Sequence, residues 1–239
     1  MYLFVASAQS QRSRLAASLG NAETRCDMAD QFDEAASVLQ HSGPYDAAVF
    51  ELAGPDNLDA VRAALRAIRA RGLSLPVIIV ADLAAEEEVS LLGAGADDVL
   101  GRHARPDAIR HRLRAILRRS LGHLSAELPC GNTVVDQGRQ QILIAGRPLR
   151  IGRREFQILE MLMLRPGIPI SKDRFMAALY GSEDGPNERI LDVFVCKLRR
   201  KLTLAGATAT IRTIWGIGYA LEEAMSAQQV DAEPLVAVS

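Results

Sequence analysis

The stretch NERILDVFVCKLRRKL, residues 187–202, decides the fold of the second half of this chain. At about 100° per residue, its aliphatic side chains recur on one side of a helix. The members of this apolar stripe are Leu191, Val195, Leu198 and Leu202, with Phe194 at its edge. The opposite side carries Arg189, Val193, Cys196 and Arg200, flanked by Asp192 and Lys197. A cationic helix face of this kind suits a groove lined with phosphates and base edges, but ordinary solvated surface helices share the pattern.

Two short β-rich runs follow this helix. Residues 211–215 and 219–221 are separated by Gly216-Ile217-Gly218. Two glycines around one residue supply the positive-φ positions that a tight hairpin requires. A helix-turn-helix followed by a β-hairpin is a winged helix, and this is the fold that the pattern predicts for the second half of the chain.

The segment between the two halves reads as a linker followed by short strands and two helices. Residues 120–128 show neither a sustained period nor strong breakers and are predicted to be a short linker. Strand-like pieces are predicted at 130–135, 140–144 and 147–151, and a helix at 153–165. Ser171 is predicted to cap a second helix that ends at Tyr180, with Asp173 in its first turn, where negative charge suits the helix dipole.

The first half alternates short apolar runs with helical patterns. Strands are predicted at residues 2–6, 24–28, 47–51, 77–81 and 97–100. Helices are predicted near 9–19, 30–41, 58–71, 83–92 and 106–119. Strands that alternate with helices imply a parallel sheet covered on both faces, and uninterrupted apolar strands such as PVIIVA suit a sheet that is buried on both sides.

Specific motifs make the chain resemble a known family. RILDVFVCKLRRKL followed by TIWGIGYAL resembles the effector domain of OmpR/PhoB-type response regulators, and most of all the alphaproteobacterial cell-cycle regulators among them. YDAAVFELAGPD, LPVIIVAD and GADDVLGRHARPDAI resemble the successive landmarks of a CheY-like receiver. The resemblance implies an α/β receiver with a five-stranded, doubly wound parallel sheet, followed by an α+β winged-helix DNA-binding domain. The implied boundaries are a pseudo-receiver at 1–119, a linker at 120–128, a DNA-binding domain at 129–223 and a disordered tail at 224–239.

The resemblance fails at the positions where receivers carry out phosphoryl transfer. The family has an acidic pair after the first strand, an aspartate ending the third, a Thr or Ser ending the fourth and a lysine after the fifth. The residues of this chain at those positions are Ala6 with Ser7, Glu51, Ala81 and Arg102. Mg²⁺ prefers hard oxygen ligands that usually include carboxylates, and one glutamate is a poor site. Phosphoryl transfer without the metal loses its main charge stabilisation, so this degenerate site is predicted not to be phosphorylated.

Two interpretations of Glu51 remain open. Its carboxylate, reaching toward Arg102, could form a fixed ion pair that imitates the phosphorylated state. Such mimicry is partial, because a phosphate carries a charge of about −1.5 to −2 and a carboxylate less. Alternatively, the site has decayed and Glu51 is a solvated residue at the end of a strand.

The resemblance also implies a set of DNA contacts. Arg189 and Arg199 are expected to bind phosphates, and Lys197 to reach base edges or the backbone. Val193 and Cys196 are expected to offer small apolar contacts to thymine methyls. The remaining candidates are Asp192 and Arg200 on the same helix, Lys172 and Arg174 at the start of the preceding helix, and Thr213, Trp215 and Ile217 on the wing. Ile217 replaces an arginine of close relatives, which weakens the expectation of minor-groove insertion there.

Two partner surfaces are implied by the same family. Its members dimerise through the fourth helix, the fifth strand and the fifth helix. The charged residues here that could pair across a two-fold axis are Glu86, Glu87, Glu88, Asp97, Asp98, Arg110, Arg114 and Arg118, unless they are simply exposed charges of little energetic value. The loop from Gly181 to Pro186 corresponds to a contact surface for RNA polymerase, and a solvated turn is the alternative interpretation.

Composition limits the remaining functions. The chain of 239 residues has a net charge of −1 and 49% hydrophobic residues, which describes a globular protein with room for two domains. No membrane helix or signal peptide is predicted, so a cytoplasmic location is expected. The three cysteines and four histidines lack metal-ligand spacing, and neither a cofactor, a metal nor an enzymatic site is predicted. Cys196, next to Lys197 and near two arginines, also permits an oxidation-sensitive thiol, although a small residue fitting against DNA is the simpler account.

The leading hypothesis is a transcription regulator that binds two half-sites on double-stranded DNA as a homodimer and acts without phosphorylation. The resemblance implies that these half-sites are A·T-rich direct repeats. A second hypothesis makes the protein an interaction module whose pseudo-receiver binds or titrates a histidine kinase or phosphotransferase. A small-molecule or redox-gated switch in the vacated phosphorylation pocket is a third, without positive evidence in the sequence.

Overall fold

The computed structural model describes residues 2–7, 14–20, 24–181 and 186–223. The chain divides into two compact units, one formed by Met1–Ala126 with Ile170–Val193, and the other by Glu127–Pro169 with Phe194–Ser239. This division assigns residues 170–193 to the first unit, whereas the domain predicted at 129–223 includes them. The predicted boundaries therefore stay a prediction.

A parallel sheet forms the centre of the first unit, with the strand order β2-β1-β3-β4-β5. Its strands are β1 (Tyr2–Ser7), β2 (Arg25–Ala29), β3 (Ala47–Glu51), β4 (Val77–Val80) and β5 (Asp98–Leu100). The pleat explains why β3 is apolar from Ala47 to Phe50. Ala48 and Phe50 point into one hydrophobic cluster, while Ala47 and Val49 point into another on the opposite face.

Helices cover both faces of this sheet. They are α1 (Arg14–Leu19), α2 (Ala35–His41), α3 (Leu58–Ala70), α4 (Ala85–Ala94) and α5 (Pro106–Ser120). Residues of α2, α3 and α4 share one cluster, which includes Leu39, Leu65 and Leu91, and residues of α1 and α5 share the other. Ile109 and Leu113, four residues apart on α5, are fully buried. The first unit is therefore doubly wound, and the carboxyl ends of its strands lie at one edge, where an α/β sheet places its site.

The second unit contains an antiparallel sheet of four strands and a separate hairpin. The sheet has the order β6-β7-β8-β9, made of β6 (Glu127–Cys130), β7 (Thr133–Asp136), β8 (Gln141–Ile144) and β9 (Arg147–Leu149). The next elements along the chain are α6 (Arg153–Met163), β10 (Ile170–Ser171), α7 (Lys172–Tyr180), α8 (Arg189–Leu204), β11 (Ala209–Ile214) and β12 (Gly218–Glu223). Of these, β10, α7 and the part of α8 up to Val193 belong to the first unit. β11 and β12 pair antiparallel and form the predicted wing.

The apolar stripe of α8 is confirmed. Its four members, Leu191, Val195, Leu198 and Leu202, are each no more than 2% exposed. Complete burial of four aliphatic side chains stabilises the helix by several kcal/mol, at roughly 2 kcal/mol for each side chain. The predicted cap of α7 is also confirmed, since the Ser171 hydroxyl accepts a hydrogen bond from the Arg174 amide at 3.3 Å.

Other predictions need correction or lie outside the described residues. The strand predicted at 130–135 is wrong, because the chain turns at Gly131 with φ of 56° between β6 and β7. In the wing, Gly216 has a φ of 74°, but Gly218 does not have a positive φ and instead starts β12 opposite Ile214. The first turns of the helix predicted at 9–19, most of the loop 181–186 and the tail from 224 onward fall outside the described residues. Within the described part of the chain, no helix is long and apolar enough to cross a membrane.

Candidate nucleic-acid interface

The outer face of α8 carries the predicted groove-facing side chains. Its exposed members are Arg189, Val193, Cys196, Lys197 and Arg200. They follow each other at helical spacing along one side, opposite the buried stripe. Within the described residues, the side chains of Arg189, Lys197 and Arg200 have no hydrogen bond or ion pair to the rest of the chain. Three guanidinium or ammonium groups on this face are therefore available for phosphates or base edges.

Two predicted phosphate ligands on α7 are engaged elsewhere. The Lys172 ammonium lies 2.7 Å from a carboxylate oxygen of Asp192 on α8. Lys172 and Asp192, both predicted to contact DNA, therefore form an ion pair with each other. The guanidinium of Arg174 lies 2.7 Å from Asp46, whose side chain is only 8% exposed. A buried carboxylate holds its cation firmly, because neither group is well solvated. Arg174 is accordingly a poor candidate for a phosphate contact.

Arg199 differs from its neighbours on α8 because its side chain is half-buried against the wing. Its Nε donates to the carbonyl oxygen of Ile211 at 2.8 Å, and its Nη2 donates to Oγ1 of Thr213 at 2.8 Å. Its guanidinium carbon lies 5.7 Å from the centre of the Tyr219 ring on β12. These contacts commit the fork of Arg199 to the hairpin, and they argue against the phosphate contact predicted for it.

The tip of the wing is apolar. Trp215 is 89% exposed and Ile217 is 53% exposed. The turn is closed by a hydrogen bond from the Ile217 amide to the Ile214 carbonyl at 3.0 Å, with Gly216 in the left-handed region. Positive φ at this third position of the turn is what glycine permits at low cost. The turn therefore holds two large apolar side chains in solvent. The strand that leads into it, β11, carries one cation, Arg212, which pairs with Glu222 at 2.7 Å.

Sequence reasoning missed the polar contacts that hold the second unit together. Lys201, one turn after Lys197, reaches the nearly buried Glu155 of α6 at 2.6 Å. Asn132, in the turn after β6, exchanges hydrogen bonds with Thr208 before β11. The only available signal was Glu155 itself, whose position three residues after Gly152 is typical of a capping box.

The strand-end positions predicted to be a degenerate phosphorylation site lie at one edge of the sheet in the first unit. Ser7 and Glu51 are register partners at the ends of β1 and β3, and Ala81 is buried after β4. The Arg102 amide donates to Asp82 at 2.9 Å, and its guanidinium donates to the carbonyl of Ala53 at 3.2 Å. Among the described residues, no group of three or more His, Cys, Asp and Glu side chains is placed to hold a metal ion.

The ion pair proposed between Glu51 and Arg102 is not among the ion pairs of the described residues. The guanidinium of Arg102 turns instead to the backbone of Ala53 after β3. Glu51 is partly exposed at the end of its strand. The choice between the two interpretations of Glu51 stays open.

Several residues predicted for a dimer interface are used within the chain. Asp97 pairs with Arg69 at 2.8 Å and accepts the Val77 amide at 2.7 Å. Glu87 accepts the Ala84 amide at 2.9 Å and caps α4. Arg110 pairs with Asp107 and donates to the Ser18 carbonyl at 2.9 Å. These three charges have partners within the chain, and their predicted pairing across a two-fold axis, like that of Arg114 and Arg118, stays a prediction.

The cysteines differ in accessibility. Cys196 is exposed, whereas Cys26 and Cys130 are partly buried. Burial, assisted by the neighbouring Asp27, raises the pKa of the Cys26 thiol to about 12. Burial likewise raises the pKa of Cys130, with a further contribution from Glu223. Neither Cys26 nor Cys130 therefore forms a thiolate readily near neutral pH.

A doubly wound parallel sheet followed by a helix with a cationic outer face and a β-hairpin defines a receiver joined to a winged-helix DNA-binding region. The chain belongs to the OmpR/PhoB-type response regulators, which are DNA-binding transcription regulators of two-component systems. A family model described as "Transcriptional regulatory protein, C terminal" matches residues 146–221. The cell cycle response regulators CtrA of Brucella ovis and Brucella abortus are each 38% identical to it over 161 residues, covering 66% of this chain and 69% of theirs.

Solved structures are similar at lower sequence identity. The response regulator DrrB of Thermotoga maritima, an OmpR/PhoB homologue, is 20% identical, with 92% of this chain and 98% of DrrB covered and a TM-score of 0.40. The DNA-binding domain of Klebsiella pneumoniae RstA, solved with the RstA box, is 24% identical, with 40% of this chain and 96% of that domain covered and a TM-score of 0.36.

Proposed function

We propose that this response regulator binds paired DNA half-sites as a dimer and does so without phosphorylation. The observation that carries the proposal is the outer face of α8, where Arg189, Lys197 and Arg200 are exposed and hold no intramolecular partner among the described residues. Cations in this position suit phosphates that flank the major groove, and Val193 and Cys196 between them suit thymine methyls. A·T-rich direct repeats are the expected half-sites.

Independence from phosphorylation is supported by the strand ends of the first unit. Glu51 stands in the position of the phosphorylated aspartate, and Ala6 with Ser7 replaces the acidic pair. Arg102 is tied to Asp82 and Ala53 at the same edge. A site without the metal ligands has no means to neutralise the charge of a transferring phosphoryl group. The receiver is therefore degenerate in chemistry while it keeps its fold.

A dimer surface is supported by apolar side chains on α4. Val89 is 69% exposed and Leu92 is 45% exposed, three residues apart on one side of the helix. With Glu87, Asp97 and Arg110 engaged within the chain, these two side chains are the better anchors for a two-fold contact. Sedimentation of V89E and L92E proteins should show monomers under conditions in which the parent chain is a dimer. A parent chain that sediments as a monomer even on DNA would contradict this part of the proposal.

Footprinting on genomic DNA fragments tests the central proposal. The untreated chain should protect paired half-sites, and acetyl phosphate with Mg²⁺ should change neither the protection nor the intact mass. R200A and K197A should require more protein for the same protection, whereas R71A, which removes an exposed arginine in the receiver, should behave like the parent chain. Binding that depends on salt but leaves no discrete footprint would reduce the function to nonspecific affinity. Its receiver would then be tested for a histidine kinase or phosphotransferase partner.

A further inference from the structure

One side chain of the recognition helix α8 contacts both strands of the wing. Arg199 contacts β11 twice, at the Ile211 carbonyl and the Thr213 hydroxyl, both at 2.8 Å, and it lies 5.7 Å from the Tyr219 ring on β12. Thr213 and Tyr219 are direct partners across the hairpin. One guanidinium therefore contacts both strands of the wing just before the turn.

The chemistry of this contact suits arginine alone. The fork of a guanidinium presents fixed donors to two acceptors, while its flat face can lie on an aromatic ring. A lysine has the same charge, but its single ammonium cannot satisfy both acceptors and lie over the ring in the same way. The acceptors are a neutral carbonyl and a neutral hydroxyl, so this contact fixes the geometry of the Arg199 guanidinium without pairing it with a negative charge.

The position of the contact determines what it controls. From Thr213 the chain needs only one more residue of β11 before the turn that presents Trp215 and Ile217. On the helix side, Arg199 follows Cys196 by three residues and precedes the exposed Arg200. The contact therefore joins the base of the apolar wing tip to the groove-facing part of α8.

We propose that Arg199 is a positioning residue that sets the wing tip against the recognition helix, so that Trp215 and Ile217 contact DNA beside the major groove that α8 occupies. This inference rests on the proposed function. The spacing between wing and helix then becomes a determinant of which DNA sites are bound, and Arg199 acts through the wing, not through a phosphate.

Substitution by lysine separates charge from geometry. R199K should lower the affinity for a specific site about tenfold, because the two hydrogen bonds from the guanidinium to Ile211 and Thr213 are lost. It should also erase protection on the wing side of the footprint. The slope of log K against log salt should stay unchanged. R200A, the matched control, should reduce that slope by about 0.9 because it removes one phosphate contact. T213V should reproduce part of the R199K effect, and the double variant should lose less than the sum of the two.

Trp215 supplies a readout that does not require DNA, because it is the single tryptophan of the chain. Its fluorescence anisotropy in the full-length protein should fall in R199K and T213V and stay unchanged in R200A, with the same far-UV circular dichroism throughout. Failure of the parent chain to bind specific DNA would overturn the proposed function, while the anisotropy would still test the attachment. Unchanged anisotropy in R199K, or full affinity with an intact footprint, would overturn the positioning role.

Discussion

The Nζ of Lys201 lies 2.6 Å from Oε2 of Glu155 and thereby joins α8 to the first turn of α6. The lysine is 38% exposed, but the glutamate is only 7% exposed. Removing the lysine leaves a nearly buried carboxylate with the Gly152 amide as its remaining described donor. K201A should therefore lower the free energy of unfolding by about 2 kcal/mol.

Urea denaturation monitored by far-UV circular dichroism measures this loss. The matched control is R212A, which removes an arginine from the exposed pair with Glu222 and should change stability by no more than about 0.5 kcal/mol. E155Q should cost less than K201A, since the amide still accepts from Gly152 and carries no buried charge. Equal losses in K201A and R212A would show that burial of Glu155 does not matter.

Substitution of Arg69 in α3 should also lower the stability of the fold strongly. Its guanidinium donates to the carbonyls of Gly95, Leu73 and Leu75 and pairs with Asp97, at distances of 2.7–3.0 Å. R69K should lower the free energy of unfolding by about 2 kcal/mol, because an ammonium cannot reach this set of acceptors. R66K changes an exposed arginine on the same helix and should be neutral. A neutral R69K would mean that the carbonyls find water equally well.

Substitutions of Arg174 and Arg189 should have opposite effects, with R174A lowering stability and R189A weakening DNA binding. R174A leaves Asp46 without its cation in a buried position, so it should destabilise the chain by about 2 kcal/mol and leave the salt slope of DNA binding unchanged. R189A removes an exposed cation at the start of α8 and should reduce that slope by about 0.9 with little effect on stability. Titration of a labelled duplex at several salt concentrations checks both. A reduced slope in R174A would restore its predicted role as a phosphate ligand.

Thiol labelling should distinguish the three cysteines. With iodoacetamide at pH 8, Cys196 should be alkylated first because it is exposed. Cys26 should react slowly, since its pKa of about 12 leaves little thiolate, and its rate should rise with pH through the range below that value. Mass spectrometry of peptides gives the order. In denaturant all three should react alike, and a fast Cys26 in the folded chain would contradict the burial seen here.

Periodic sequence patterns predicted the elements whose position depends only on which side chains are buried. The stripe of Leu191, Val195 and Leu198 follows from helical spacing, and the strand β3 follows from its apolar run. A pattern of this kind shows which face is buried, but it does not show where a long side chain on the other face will bend. Arg199 illustrates the difference, because its acceptors come 12 and 14 residues later and are defined only once the hairpin has formed.

The charges predicted for a dimer show the same limit. Asp97 is one residue before β5, and its Oδ2 accepts hydrogen bonds from Arg69 and from the Val77 amide. Those donors are 28 and 20 residues away in sequence, so a search for complementary charges along the chain could not identify them. The turn at Gly131 was missed for another reason. β6 and β7 are each four residues long, and the Gly131-Asn132 pair between them is a two-residue turn signal that the predicted strand at 130–135 ran across.

The contacts of Arg102 have a consequence for amide hydrogen exchange. Its amide is bonded to Asp82 after β4, and its side chain to Ala53 after β3, so three loops share one residue. Loops held in this way open together and not one at a time, and the Arg102 amide should exchange as slowly as its strands although it lies outside them. We therefore expect the loops after β3, β4 and β5 to behave as a single opening unit in hydrogen exchange.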